Sequence, residues 1–135
     1  MTIVTSSRKP STEVRRLAKE IAFALDLPYV QRGKAGLRDI EGEHSSIIFV
    51  SGSKQKQMGP VVDITKNGNT VFSMLVTNVI TSERTGEFYK GLLTREEDLY
   101  NMLSPYVQIK LDLNAEGAIC FCGMQKINYR LQVMV

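Results

Sequence analysis

The junction Ser6-Ser7-Arg8-Lys9-Pro10-Ser11 places three hydroxyls and two cations within six residues. It lies between the apolar pair Ile3-Val4 and a stretch carrying Arg15, Arg16 and Lys19. Free backbone amides and the positive end of the dipole sit at a helix start. With the hydroxyls of Ser6, Ser7 and Ser11 and the charges of Arg8 and Lys9 beside them, an anionic oxygen would meet several convergent donors. The same residues also describe an N-cap with solvated cations next to it. Two further segments have this character: Arg32-Gly33-Lys34, and Lys54 with Lys56. If the strands before these three loops run parallel, all three loops leave one edge of a sheet and their cations share a surface. Arg grips phosphate bidentately and Lys acts as a flexible point charge. Such a pattern suits a nucleic-acid backbone better than a small ligand, although an ordinary basic surface has the same composition.

Those loops need elements to hold them. Thr2 to Ser6 reads as a first strand. Pro10 suits the first turn of a helix, where its missing N–H costs nothing, and Ser11 or Thr12 can cap nearby amides. Val14, Leu17, Ala18, Ile21, Ala24 and Leu25 recur at three- and four-residue steps, one apolar helical stripe. Asp26 ends it, and Pro28 argues against more helix. Tyr29-Val30 starts a second strand, and Leu37 to Glu43 reads as a short helix. Ile47-Ile48-Phe49-Val50 is a continuous apolar run, as in a strand covered on both faces. Val61–Thr65 and Thr70–Val76 flank Lys66-Asn67-Gly68-Asn69, a hairpin signal because Asn and Gly tolerate positive φ. Thr94-Arg95-Glu96-Glu97 has capping-box form, with Leu99, Met102 and Leu103 as the apolar face behind it. Val107 to Leu113 and Ile127 to Val135 alternate as half-buried strands do, and Ala118 to Cys122 lies between them. The order describes a mixed α/β (α+β) domain with helices packed on a mixed sheet.

Charge is unevenly spread. Residues 1–60 hold ten Lys/Arg against six Asp/Glu, and residues 61–135 hold seven against eight, so the whole +3 comes from the first half. An acidic partner on one side of the molecule follows. At 135 residues the chain is expected to be one domain. No apolar run approaches the ~18 residues of a membrane span, and the start lacks a charged-then-apolar leader pattern. No membrane partner and a cytoplasmic location are therefore expected.

Enzymatic readings fare worse. Gly33-Lys34-Ala35-Gly36 lacks P-loop spacing. His44 has no evident nucleophile or orienting acid. Asp39, Glu41 and Glu43 could hold Mg²⁺ as in a nuclease, but a solvated face explains them as well. Glu96, Glu97 and Asp98 fall in a helical first turn, where negative charge is favourable. Cys120 and Cys122 do not complete a zinc site with a lone distant histidine, and read as free thiols on one face of a strand. Neither a metal nor a cofactor is called for, and no enzymatic activity is expected. Phe88-Tyr89, with Lys90 beside it, is a better candidate for stacking on bases than Tyr29. Val4-Thr5-Ser6-Ser7-Arg8 is faintly echoed by Ile80-Thr81-Ser82-Glu83-Arg84.

Thr5-Ser6-Ser7-Arg8-Lys9-Pro10-Ser11 resembles the opening of the Brix domain family, a strand ending in a T-S-R-x-P-S type motif that runs into a basic helix. The likeness continues at Gln31-Arg32-Gly33-Lys34, Ile47-Ile48-Phe49-Val50, Gly59-Pro60 and the tail Ala118–Met134, in order along nearly the whole chain. The extra serine in Thr5-Ser6-Ser7-Arg8 lengthens the usual motif by one residue. The chain is shorter than eukaryotic members, lacks their charged tails, and looks like an archaeal single-domain version. The resemblance implies one Brix domain over residues 1–135, built of two similar α/β halves near 1–77 and 78–135. It also implies a relation to the anticodon-binding domain of class II aminoacyl-tRNA synthetases. The implied function is non-enzymatic RNA binding in ribosome biogenesis and rRNA processing. Ribosomal RNA or its precursor would be the partner, with ribosomal proteins or assembly factors beside it. Charge placement and the motif together nominate Ser6, Ser7, Arg8, Lys9, Arg15, Arg16, Lys19, Arg32, Gly33, Lys34, Lys54 and Lys56 as RNA contacts. The alternative is a protein–protein scaffold in a ribosomal precursor particle, using the less basic C-terminal half and a last strand at a sheet edge.

Overall fold

The apolar stripe from Val14 to Leu25 is the part of the first helix that the protein buries. The computed structural model describes residues 2–7, 9–31, 46–52 and 59–135. Its elements are β1 (Thr2–Ser6), α1 (Thr12–Leu25), β2 (Tyr29–Val30), β3 (Ser46–Ser51), β4 (Val61–Lys66) and β5 (Asn69–Glu83), followed by β6 (Leu92–Thr94), α2 (Glu97–Leu103), β7 (Ile109–Leu111), β8 (Ile119–Cys122) and β9 (Ile127–Met134). The helix expected over Leu37 to Glu43 lies outside the described residues, as do His44 and the acids at 39, 41 and 43. The mixed α/β class holds. Among the described residues nine strands form one mixed sheet in the order β2-β1-β3-β4-β5-β9-β8-β6-β7, with α1 and α2 packed on it.

Ser11, not Pro10, opens α1. Its hydroxyl accepts from the Val14 amide at 3.2 Å, so Pro10 sits one residue ahead of the cap rather than in the first turn. Asp26 closes the helix in the left-handed conformation (φ 55°), donating its N–H to the last turn. Val14, Leu17, Ala18, Ile21, Ala24 and Leu25 all face a single core, which they share with Val4, Ile48 and Val50 of the first strands and with Ile119, Phe121 and Leu131 of the last. Leu99 and Leu103 of α2 enter the same core. On the opposite face Ile3 and Ile47 are buried with Val30 and Phe49 against them. This is why the run at 47–50 is apolar throughout, since both faces of β3 are covered.

Asn67 and Gly68 take φ of 52° and 82°, the left-handed pair that a two-residue hairpin needs, and β4 and β5 pair across them in the expected place. β5 then runs on to Glu83, well past Val76. Its pairing with β4 ends at Leu75, where pairing with β9 begins, and the register to β9 shifts between Val76 and Asn78. Gly59-Pro60 abuts that bulge. The Val76 amide donates to the Pro60 carbonyl at 2.8 Å, and a Cβ at Gly59 would overlap the Val76 carbonyl oxygen. The backbones touch there, so only glycine fits.

Three local expectations fail for one reason, the pull of long-range pairing. Thr94 is not a helix cap. It ends β6, which pairs with β7 and β8, and its hydroxyl accepts from the Glu96 amide at 3.1 Å, while the capping residue of α2, Glu96, makes no side-chain cap bond. The alternation through Leu113 breaks because only Ile109–Leu111 is paired, and Leu113 is 80% exposed. The last strand is not at a sheet edge: β9 lies between β5 and β8, and the edges are β2 and β7.

Candidate nucleic-acid interface

Strands β1, β2 and β3 run parallel, with Thr5 beside Val30 and Ser6 beside Val50. The Ser7 amide continues the ladder to the Val50 carbonyl at 3.0 Å. The chain therefore leaves β1 at Ser7, β2 at Gln31 and β3 at Gly52 from one edge of the sheet, the arrangement a shared cationic surface requires. Arg8, Arg32, Gly33, Lys34, Lys54 and Lys56 themselves lie outside the described residues.

Side chains lock this edge. β2 is only two residues long, too short to hold by its ladder alone. The Thr5 hydroxyl donates to the Val30 carbonyl at 2.6 Å, and the Ser6 and Tyr29 hydroxyls share a bond of 2.7 Å. Ser6 is consequently buried, at 2% exposure, and its hydroxyl is held by Tyr29. Ser11 is likewise engaged as the cap of α1. Ser7 is half-buried and Lys9 is exposed, with Lys9 in the left-handed region (φ 46°).

Arg15, Arg16 and Lys19 stand on the solvent face of α1. Two of them are oriented by aromatic residues. The Lys19 ammonium lies 5.7 Å from the Tyr29 ring centroid, within cation–π range. Arg16 Nε donates to the Tyr129 hydroxyl at 3.1 Å, which leaves its terminal nitrogens for another acceptor. Burial raises the Tyr129 phenol above its ordinary value; the Arg16 bond works against this and the nearby Glu20 carboxylate adds to it. Glu20 is itself buried and accepts from the Met124 amide at 3.1 Å, so a chain of contacts from Arg16 to Tyr129 and from Glu20 to Met124 ties α1 to the β8–β9 turn. Arg16 also forms a wall of an open cleft of about 380 Å³ with Glu13, Pro60, Asn78, Val79 and Thr81.

Three residues of this region escape a reading by charge and motif: Phe23, Arg84 and Tyr129. Tyr129 is expected only as one more inward position of an alternating strand. Phe23 carries a signal, because it falls outside the apolar stripe of α1, seven residues after Arg16 and four after Lys19. Phe88 is exposed, as a stacking residue must be, whereas its neighbour Tyr89 is half-buried and its phenol is pushed up by burial and by Cys122 and Cys120 beside it.

The fold is similar to that of an archaeal Imp4-like protein of known structure. The crystal structure of Mil, an archaeal Imp4-like protein, superposes with a TM-score of 0.62 at 17% identity, covering 100% of this chain and 99% of that one. A probable ribosomal biogenesis protein from Aeropyrum pernix K1 gives 0.63 at 14% identity over 97% and 94%. No family model matches the chain. In sequence it is 28% identical, over 111 residues, to a probable Brix domain-containing ribosomal biogenesis protein of Methanococcoides burtonii, spanning 79% of this chain and 72% of the relative. A protein of the same description from Archaeoglobus fulgidus is 45% identical over 42 residues, 31% of this chain and 28% of that one. The chain is a homologue of Brix domain-containing proteins, and the family resemblance read from its motifs holds.

Proposed function

We propose that this protein is a non-enzymatic RNA-binding factor of ribosome assembly that acts on ribosomal RNA precursors in the cytoplasm. The names of its homologues support the ribosomal setting. No helix among the described residues is long and apolar enough to cross a membrane. The observation that carries RNA binding is the parallel run of β1, β2 and β3. It brings the departures of three cation-bearing loops to one sheet edge, beside a helix whose solvent face holds Arg15, Arg16 and Lys19. Arg8, Lys9, Arg32, Lys34, Lys54 and Lys56 would grip phosphates there, and α1 would extend the field. Base identity matters little to such contacts, which position a nucleic acid rather than read it.

The test is fluorescence anisotropy with a labelled single-stranded fragment of ribosomal RNA across a salt series. Affinity should fall with salt at a slope of about −0.7 per phosphate neutralised. The double variant Arg8→Ala/Arg32→Ala should bind more weakly while melting at the same temperature. Absence of binding in dilute buffer, or a double variant as tight as the parent, overturns the reading. Partners that persist in pull-downs after nuclease treatment would favour the scaffold instead.

A further inference from the structure

α1 has one aromatic residue on its solvent face. Phe23 is 42% exposed, and it meets Phe88, 49% exposed, from the segment that leads into β6. The two rings pack edge to face, with centroids 5.7 Å apart and planes at 70°. Single exposed apolar side chains are ordinary, but here two large rings are in mutual contact at the surface.

The chemistry around the pair is cationic. The Arg84 guanidinium sits 5.3 Å from the Phe88 ring centroid. Arg84 is anchored, because its amide donates to the Lys126 carbonyl at 2.7 Å and its guanidinium reaches the Gly123 carbonyl at 3.4 Å. Lys90 pairs with Asp26 at 3.4 Å, which offsets the Asp26 carboxylate. Beside the rings lies an open recess of about 420 Å³ bordered by Ala22, Phe23, Leu27 and Phe88, with Asp26 and Lys90 at its rim.

The placement along α1 gives the patch a direction. Arg16, Lys19 and Phe23 follow at steps of three and four, so they form one row on the helix surface. The row from Arg16 to Phe23 is about 10 Å long. A strand whose phosphates lie on Arg16 and Lys19 carries its next bases to the rings.

We propose that Phe23 and Phe88 form a stacking platform for an unpaired base of single-stranded RNA, set at the end of the Arg16–Lys19 row and flanked by Arg84. The proposal rests on the RNA-binding reading above and assigns that surface its contact with bases. Every base has a π-face, so the platform is tolerant of sequence and depends on single-strandedness. Phenylalanine offers no hydrogen bond that would select one base over another. The cations decide for RNA over a protein segment: Arg84 lies against the Phe88 ring, Arg16 and Lys19 lead up to Phe23 along α1, and the nearby Asp26 is already paired.

The experiment uses the full chain and a single-stranded RNA carrying 2-aminopurine, whose fluorescence is quenched by stacking. The parent protein should bind and quench. Phe23→Leu/Phe88→Leu keeps both side chains apolar at exposed positions. It should lose the quench and bind about tenfold more weakly, with an unchanged salt slope because no phosphate contact is removed. Phe88→Tyr keeps a ring and should retain the quench. If the parent binds RNA with the expected salt slope and the double variant keeps full affinity and quench, the platform is wrong while the cationic surface stands. A double variant that keeps its RNA affinity but loses a protein partner assigns the patch to protein and likewise overturns the proposal. A parent that ignores RNA overturns both readings together.

Discussion

The two ends of the sheet are built alike and charged differently. At one end β1, α1 and β2 make a strand, a helix and a parallel edge strand; at the other, β6, α2 and β7 do the same. A buried threonine sits near the end of the first strand in each, Thr5 and Thr94, both 0% exposed. Thr5 donates across to β2, and Thr94 accepts from the amide two residues on. The helices then diverge. α1 has fourteen residues, a serine cap and Arg15, Arg16 and Lys19 on its solvent face; α2 has seven, no side-chain cap, and Glu97 and Asp98 in its first turn. At the β6 end, negative side chains already answer the positive helix end, and a polyanion would meet repulsion. The lesson is that this backbone arrangement does not by itself make an anion site. Under the proposed function, the cations of α1, which outnumber Glu13 in its first turn, would make one corner receptive and the acids of α2 would not.

The largest expected effect tests whether the corners share one core. Leu103→Ala in α2 and Leu17→Ala in α1 should each cost about 2–5 kcal/mol, read from urea unfolding. Both should shift the whole transition, because their side chains meet in the same cluster. Local loss of hydrogen-exchange protection at the β6 end alone would show that the ends unfold separately. Next comes charge. Reversing Arg15, Arg16 and Lys19 together to Glu should weaken RNA binding on the order of a hundredfold at low salt. Glu96→Gln/Glu97→Gln at the other corner should leave it the same or slightly tighter; equal losses at both corners would erase the contrast. Ser11→Ala should then cost about 1 kcal/mol of stability through the lost cap. Glu96→Ala, at the capping position of α2, should stay within about 0.5 kcal/mol, since no cap bond is there to lose.

The smallest effect is alkaline. Burial raises the Tyr89 phenol beside β6 above its ordinary value, so the folded state holds that proton more tightly than the unfolded chain does. The resulting stabilisation is full below about pH 10, where an unfolded tyrosine titrates. It is lost as pH climbs from there toward the folded value. Tyr89→Phe should flatten that part of the pH–stability curve, measured by urea melts between neutral and strongly alkaline pH.

Periodicity made the apolar stripe of α1 legible, since a helix that covers a sheet must repeat its apolar groups at the helical step, but not the burial of Glu20 and Ala22. Asn67-Gly68 announced its hairpin through backbone sterics, and Ile47–Val50 its double burial. The far half of β5 was not legible. Residues 77–83 are mostly exposed, so pairing with β9 left no apolar alternation to read. Ile80–Glu83 of the faint echo lies in β5, which pairs antiparallel with β9, whereas β1 pairs parallel. At the candidate site, charge and motif singled out the residues of α1, but the pairing of Phe23 with Phe88 joins positions far apart in the chain, and no local pattern encodes it.

What the amino-acid order determined by itself is whatever depends on near neighbours: the apolar stripe of α1, a hydroxyl cap at Ser11 or Thr12, the tight hairpin and the basic bias of the first half. Tertiary structure alone decided that Thr94 ends a strand, that β9 lies inside the sheet, that Ser6 is tied to Tyr29, and that two exposed rings meet. Those outcomes come from contacts between distant segments, where pairing a backbone or filling a core outweighs a local preference of about 1 kcal/mol.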